Sequence, residues 1–257
     1  MDLFVVCLVA FLASGLTLFS GFGLGTLLLP AFLLFFPAEV AVAMTAIVHF
    51  FNNIFKLAVL GKHADLKTVI RFGTPAVVAA AGGAALLFVF SDARPLVSYE
   101  ILGRDAYITP IKVVMGVLII TFAAAELMPS FEHLAFERKY LPLGGLLSGF
   151  FGGLSGHQGA LRSAFLVRAG LSKEGFIATG VVIACLVDVT RLAMYVNHLK
   201  TPELRQNLFL LVSATVSAFL GVVLGNMLRK KITMRTIQVI VSLLLFVIAI
   251  GLGAGLI

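Results

Sequence analysis

Eight long apolar segments constrain this sequence more than any other feature. Six of them have about the length of one helix that crosses the hydrocarbon of a bilayer. These six are residues 40–60, 69–90, 111–127, 176–196, 208–228 and 237–257. The other two, residues 3–36 and 141–161 with a tail to 167, are interrupted by glycines and do not fit a single helix.

The composition places these segments in a membrane. Of the 257 residues, 60% are hydrophobic and 12% are charged, and the mean hydropathy is +1.10. A soluble domain carries about 25% charged residues, so this chain lacks the polar side chains to cover a water-facing surface. We therefore predict an all-α integral membrane protein, with the lipid bilayer as its surroundings.

The net charge of +7 does not indicate nucleic acid. The lysines and arginines lie mostly in short gaps between apolar segments, as in loops that face anionic headgroups. Cys7 and Cys185 lie inside apolar stretches without a CxxC neighbour, so no metal, disulfide or other cofactor is expected. The start at Met1 has no basic region before the first apolar segment, so we expect that segment to be retained.

Glycines break the two unusual segments in their centres. Each glycine in a helix interior costs about 1 kcal/mol, so we predict that each segment divides into two half-helices. Helix ends within a bilayer expose main-chain N–H groups, and two of them in symmetric positions are typical of a transporter site. For the remaining glycines we expect close helix packing instead; these are Gly82, Gly83, Gly144, Gly145, Gly221 and Gly225.

The two halves of the chain are related. A shift of 135 residues places Ser20-Gly21 on Ser155-Gly156, Asn53 on Asp188 and Lys56 on Arg191, although only 7 of 44 positions between residues 20 and 63 are identical. We predict two four-element repeats, each with one glycine-broken segment and three spanning helices. Residues 1–128 form the first repeat, 129–140 a connecting loop and 141–257 the second repeat.

Loop charge favours repeats of opposite orientation. If the broken segments are re-entrant, eleven loop cations lie on the cytoplasmic side and four outside; if both segments cross, the division is eight to seven. The positive-inside rule favours the first arrangement. Its inner cations are Lys62, Lys67, Arg71, Arg138, Lys139, Arg168, Lys173, Arg229, Lys230, Lys231 and Arg235.

Two spanning segments carry polar stripes. His49, Asn52, Asn53 and Lys56 are spaced i, i+3, i+4, i+7, and the matching segment carries Asp188 and Arg191. An ionised group in mid-membrane is costly unless it is paired or hydrated. Either the cations hold an anion, with Asp188 neutralising Arg191 while the site is empty, or Asp188 forms a structural ion pair with Arg191 or Lys56. Lys56 also lies near enough to a helix end to snorkel.

The second break holds the sequence Ser155-Gly156-His157-Gln158-Gly159, followed by Arg162. His157 has an ordinary pKa near 6.5, so a proton-coupling role for it, together with Asp188, is one interpretation. The other is a hydrogen-bonded structural histidine. Residues 153–156 also fit the GxSG pattern of intramembrane serine proteases, which need a base on another helix. Against a nucleophile, Ser155 has a repeat partner in Ser20.

The glycine motifs resemble those of the sulfite exporter TauE/SafE family, also called toluene-sulfonate uptake permeases. The resemblance lies in residues 20–25, 29–30 and 39–43 of the first half and in 149–156, 172–174 and 178–180 of the second. It implies a bacterial inner-membrane carrier of seven to nine segments for sulfite, organosulfonates or related small anions. The family's glycine clusters map onto Gly21, Gly23, Gly25, Gly152, Gly153 and Gly156.

Together these patterns predict a secondary transporter that works by alternating access and binds a small anion between the two breaks. Without a GxxxxGK[ST] motif, transport must use protons, another coupling ion or an external partner. An anion channel and a protease using Ser155 are the alternatives. The predicted binding residues are Ser20, Gly21, Gly23, Gly25, Asn52, Asn53, Lys56, Ser155, Gly156, His157, Gln158, Arg162, Asp188 and Arg191.

Overall fold

The protein is described by a computed structural model that covers residues 2–20, 24–60, 63–101, 103–128, 134–195, 204, 206–227 and 234–257. These residues are mostly helical, as predicted. The helices are α1 (Asp2–Ser20), α2 (Leu24–Leu33), α3 (Ala38–Leu60), α4 (Leu66–Ser91), α5 (Pro110–Leu127), α6 (Leu141–Ser155), α7 (Gly159–Leu166), α8 (Lys173–Tyr195), α9 (Leu208–Met227) and α10 (Met234–Gly253).

Local sequence explains where several helices begin. Asp65 caps α4 by accepting a hydrogen bond from the Thr68 main-chain N–H at 2.8 Å. Thr109 caps α5 in the same way, and Pro110 occupies the first turn, where its missing N–H costs nothing. These caps place each helix start close to the edge of its apolar segment.

A short β-hairpin between α4 and α5 departs from the all-helical prediction. Strand β1 (Val97–Ile101) pairs antiparallel with β2 (Arg104–Ile108), and Gly103 adopts a left-handed φ of 74° in the turn. β-Branched and aromatic residues favour strands, and this stretch is too short to span a bilayer. The Tyr99 hydroxyl donates to the Ala254 carbonyl, which fastens the hairpin to the end of α10.

The second glycine-broken segment divides into two helices, as predicted. Helix α6 ends at Ser155, and α7 begins at Gly159. Gly156 has a φ of 82°, a conformation that residues with a Cβ rarely adopt, and its N–H donates to the Gly152 carbonyl at 3.0 Å. In the first segment α1 ends at Ser20 and α2 begins at Leu24, and residues 21–23 lie outside the described residues.

Helix packing between the halves is reciprocal. The first helix of each half packs against the second of the three long helices of the other half, so α1 contacts α9 and α6 contacts α4. Helix α3 packs against α8, and α5 packs against α10. Equivalent helices of the two halves therefore make equivalent contacts, as the predicted repeats would require.

Glycines allow the closest of these contacts. A Cβ on Gly145, Gly149 or Gly153 of α6 would lie 2.0 to 2.2 Å from main-chain carbonyls of α4. The packing role predicted for Gly83, Gly144, Gly145 and Gly221 is confirmed, because each would place a Cβ within 2.4 Å of a neighbour. For Gly82 the packing prediction is wrong, since nothing lies within 4 Å of its Cβ position.

Three of the described helices have the length and composition to cross a membrane, namely Ala38–Ala58, Leu66–Ser91 and Lys173–Tyr195. Shorter apolar stretches lie in α1, α2, α5, α9 and α10. Large apolar side chains such as Phe209, Val216 and Val247 are exposed on these helices, as expected of surfaces that face lipid.

Candidate functional site

Asp188 of α8 is the centre of a buried polar network. One carboxylate oxygen lies 2.7 Å from Nδ1 of His49 on α3, and the other accepts from Nε and NH2 of Arg191 at 3.0 and 2.8 Å. Both Asp188 and Arg191 are completely buried. The Asp188–Arg191 pair lies within one helix, so it is the His49 contact that joins α8 to α3.

Two amide side chains complete the shell around this carboxylate. Asn53 donates to the oxygen that faces His49 at 3.2 Å, and Gln158 donates to the other oxygen, also at 3.2 Å. The side-chain oxygen of Gln158, Oε1, in turn accepts from NH1 of Arg162 at 3.1 Å. A continuous chain of hydrogen bonds therefore runs from α3 through α8 to α7.

Two side chains of α8 satisfy the carbonyl end of α6. Arg191 NH1 donates to the Gly152 carbonyl at 3.3 Å, and the Tyr195 hydroxyl donates to the Gly153 carbonyl. The last carbonyls of a helix lack partners within the helix and carry a partial negative charge, so a guanidinium is favourable there. The three guanidinium nitrogens of Arg191 thus donate to two protein acceptors, one Asp188 oxygen and the Gly152 carbonyl.

Lys56 and Arg162 differ from Arg191 because no carboxylate contacts either of them in the described part of the chain. The Lys56 side chain is buried, with 7% exposure, and it lies close enough to the Arg162 guanidinium for the two positive charges to repel each other. The hydrogen bond of Arg162 goes to the uncharged Gln158. The described polar cluster therefore holds three cations, Lys56, Arg162 and Arg191, and one carboxylate.

The residues of the α6–α7 break form a second group. The Ser155 hydroxyl donates to the Phe151 carbonyl at 3.1 Å, and its oxygen lies 3.0 Å from Nδ1 of His157. The His157 ring stacks on Phe122 at 5.0 Å with an interplanar angle of 6°. Its Nε2 atom is buried and has no hydrogen-bond partner in the structure.

Two more buried polar atoms on α3 have no partner. Asn52 accepts from the Ser14 hydroxyl at 2.9 Å, which leaves its amide nitrogen without an acceptor. The hydroxyl of Thr45, two turns earlier on the same face, is also unpartnered. Buried polar groups in native proteins are nearly always hydrogen-bonded, so orphaned donors indicate a ligand or water.

The first turn of α2 meets the second break at Gly25. A Cβ on Gly25 would lie 3.1 Å from the Gly156 carbonyl and 3.8 Å from the Thr45 side chain. Ser20 is the last residue of α1, and the structure does not describe the contacts of its side chain. Gly21 and Gly23 lie outside the described residues. The predicted residues Asn53, Gln158, Arg162, Asp188 and Arg191 share one network, whereas Asn52 and the Ser155–His157 pair lie beside it.

The predicted binding set omitted three residues that the structure places in this region. His49 makes the shortest contact with Asp188, Tyr195 caps α6, and Thr45 lies beside Gly25. The helical stripe of α3 already contained His49, and Tyr195 follows Arg191 by one turn, so both could have been found. Thr45 gave no signal of its own, because a lone threonine in an apolar helix is common.

A family model described as sulfite exporter TauE/SafE matches residues 6–252, which is nearly the whole chain. No curated protein matches the sequence.

Proposed function

Because the chain belongs to the sulfite exporter TauE/SafE family, we propose that it is a secondary transporter that carries a small sulfur oxyanion by alternating access. The family is one of transporters, and the apolar helices make this a multi-pass membrane protein. We place it in a bacterial inner membrane. Sulfite and organosulfonates are the proposed substrates.

The observation that carries this proposal is the excess of positive charge in the buried cluster. Asp188 balances one of the cations, and it is already shared by Arg191 and His49. Ionised side chains inside a membrane protein cost several kcal/mol unless they are paired or hydrated. A bound anion supplies the negative charge that Lys56 and Arg162 lack.

The unpartnered donors suit the oxygens of such an anion. The Asn52 amide and the Thr45 hydroxyl are buried and have no acceptor. Gly25 and Gly156 bring main chain of both repeats close together, where a side chain would obstruct it. By repeat symmetry with Ser155 and Gly156, we include Ser20, Gly21 and Gly23 in the proposed site.

Alternating access follows from two inverted repeats with re-entrant breaks, which we propose as the architecture. Reciprocal packing of α1 on α9 and α6 on α4 supports the duplication. Contact between Gly25 and Gly156 supports a substrate position between the repeats, as expected for carriers of this type. The proposed repeats are residues 1–128 and 141–257.

One observation favours a protease, namely the 3.0 Å contact of Ser155 with His157. A serine nucleophile needs a base that a third group orients. In the described structure, His157 stacks on Phe122 and Nε2 contacts no such group. Membership of a transporter family also argues against proteolysis. Labelling of Ser155 by a fluorophosphonate would support a serine protease instead of a transporter.

The proposal is tested by uptake into proteoliposomes of labelled sulfite, organosulfonates and carboxylates. We expect saturable uptake of a sulfur oxyanion by the wild type and at least tenfold weaker binding in Lys56→Gln, because the variant loses a buried charge beside the anion. Lys112→Gln is the matched control, since Lys112 is only half-buried and lies beside Glu39. Wild-type affinity in Lys56→Gln would remove Lys56 from the site.

An anion channel is distinguished in planar bilayers. A carrier gives no resolvable single-channel current, whereas discrete current steps would favour a channel. Absence of flux for every anion tested would contradict transport altogether.

A further inference from the structure

His49 joins the two halves of the protein through its contact with the buried carboxylate of Asp188. It lies on α3, and its partner Asp188 lies on α8, the helix that corresponds to α3 in the second repeat. We infer that His49, paired with Asp188, binds the proton that is transported together with the anion. This inference rests on the proposed function.

The contact geometry suits reversible protonation. His49 Nδ1 lies 2.7 Å from Asp188, and the side chain of His49 is only 4% exposed. The Asn53 amide nitrogen lies 3.0 and 3.4 Å from the two ring nitrogens and 3.2 Å from Asp188. A neutral ring that donates from Nδ1 to Asp188 keeps Nε2 as an acceptor for Asn53. A protonated ring has no acceptor left, so Asn53 then bonds to Asp188 alone.

The charged groups around His49 have opposing effects. The Asp188 carboxylate contacts the ring, and two cations lie near it, Arg191 on the same helix as Asp188 and Arg162 on α7. Helices α2 and α9, which lie beside α3, carry no titratable side chain among their described residues. Lys67 and Arg71 lie in the first turns of α4, and on α5 the Lys112 ammonium lies beside Glu39 at the start of α3. The cations that attract the anion therefore also lie near His49.

Anion binding adds a negative charge to the surroundings of His49. Lys56 follows His49 by seven residues, or about 10 Å along the helix. At that distance and an effective dielectric constant of about 20, one negative charge raises the proton affinity of His49 roughly tenfold. Linkage is reciprocal, so protonated His49 strengthens anion binding by the same factor. This mutual preference is what couples an anion to a proton in symport.

His157 has a different environment. Its ring stacks on Phe122, its Nδ1 atom contacts the Ser155 hydroxyl, and it contacts no carboxylate in the described structure. These contacts suit a neutral ring whose Nδ1–H donates to the Ser155 oxygen, which leaves Nε2 as an acceptor. The proton role predicted from sequence for His157 is therefore assigned here to His49, with Asp188 retained.

The two histidines are separated by measuring protons moved per anion, a ratio that does not depend on the rate. Purified protein is reconstituted into vesicles that contain a pH-sensitive dye, with radiolabelled toluenesulfonate as the probe because its charge is constant between pH 5 and 8. Anion exchange at equal pH is measured first, since it needs no net proton movement. Accumulation is then driven by a gradient of one pH unit, acidic outside.

We expect about tenfold accumulation by the wild type, the limit for one proton per anion. His49→Gln should lose accumulation and dye acidification, because glutamine bonds to Asp188 without titrating, while exchange at equal pH continues with weaker anion binding. His157→Gln should exchange more slowly with an unchanged proton-to-anion ratio. The exposed His63→Gln serves as the control for loss of an imidazole and should match the wild type.

Proton-driven accumulation by His49→Gln, or its loss in His157→Gln alone, would overturn the inference. If the wild type exchanges the anion but does not respond to the pH gradient, the inference about His49 is overturned and the proposed function stands. If the wild type shows no exchange at all, the proposed function is contradicted. If His49→Gln does not fold, calorimetric titration of wild type with toluenesulfonate in two buffers of different ionisation enthalpy decides. Anion binding without proton uptake would then reject a proton site.

Discussion

Gly83→Ala tests whether the contact between α4 and α6 depends on the absence of one side chain. Gly83 is buried where α4 crosses α6, and a Cβ there would lie 2.1 Å from the Phe150 carbonyl oxygen and 2.9 Å from the Leu154 nitrogen. Both neighbours are main-chain atoms within a helix. They cannot rotate away as a flexible side chain can, so the helices must separate.

The required displacement sets the size of the effect. Ordinary van der Waals contact begins near 3.4 Å, so α4 and α6 must part by about 1.3 Å at this point. Overpacking of this kind costs about 1–3 kcal/mol, and separation also weakens the contacts at Gly145, Gly149 and Gly153 along the same interface. Alanine recovers about 1 kcal/mol in helix propensity. We expect the free energy of unfolding to fall by about 2 kcal/mol.

Gly82→Ala is the matched control, because nothing lies within 4 Å of its Cβ position on the same helix. It should leave stability unchanged or raise it slightly. Both variants are unfolded by sodium dodecyl sulfate in mixed micelles and followed by circular dichroism. A loss of about 2 kcal/mol corresponds to a roughly 30-fold larger unfolding constant. Equal midpoints for Gly83→Ala and Gly82→Ala would refute the packing argument.

Two further substitutions test local contacts. Asp65→Ala removes the cap of α4 and should cost about 1 kcal/mol, whereas Asp65→Asn should retain most of it. Hydrogen bonding to Thr68 lowers the pKa of Asp65 below its ordinary value of 3.8. The stability that the charged cap contributes is therefore complete above pH 3.8 and is lost as the pH falls through the lowered pKa. Equal unfolding curves for the wild type and Asp65→Ala at pH 7 would contradict the capping role. Tyr195→Phe leaves a carbonyl in the last turn of α6 without its buried donor and should cost about 1–3 kcal/mol in the same micelle assay. An unchanged unfolding midpoint would show that this bond contributes nothing.

Periodicity in the sequence was enough to predict much of the fold and part of the site. The apolar segments predicted the long helices because each is bounded by turn and capping residues at its ends. The stripe of His49, Asn53 and Lys56 follows directly from 3.6 residues per turn. The interruption at Gly156 followed from the cost of consecutive glycines in a helix.

Features that depend on a partner surface could not be read in this way. Gly82 and Gly83 are neighbours in sequence, but successive residues point about 100° apart on a helix, so one meets α6 and the other does not. The hairpin at Val97–Ile108 was missed because its strands are short and lie between stronger helical signals. Which cation Asp188 neutralises depends on side-chain reach, and that too is absent from the sequence.

One difference between the two halves of the sequence leaves the buried polar cluster with more cations than carboxylates. Lys56 follows Asn53 by three residues, as Arg191 follows Asp188, so each half places a cation one turn after the equivalent position. In the second half that position is a carboxylate, and it binds the guanidinium at 2.8 Å. In the first half it is an amide, which cannot neutralise the ammonium and instead donates to Asp188. A carboxylate in place of Asn53 would lie one turn before Lys56, as Asp188 lies before Arg191; the amide leaves Lys56 without a carboxylate contact in the described part of the chain, and that is why we propose that it binds the anion.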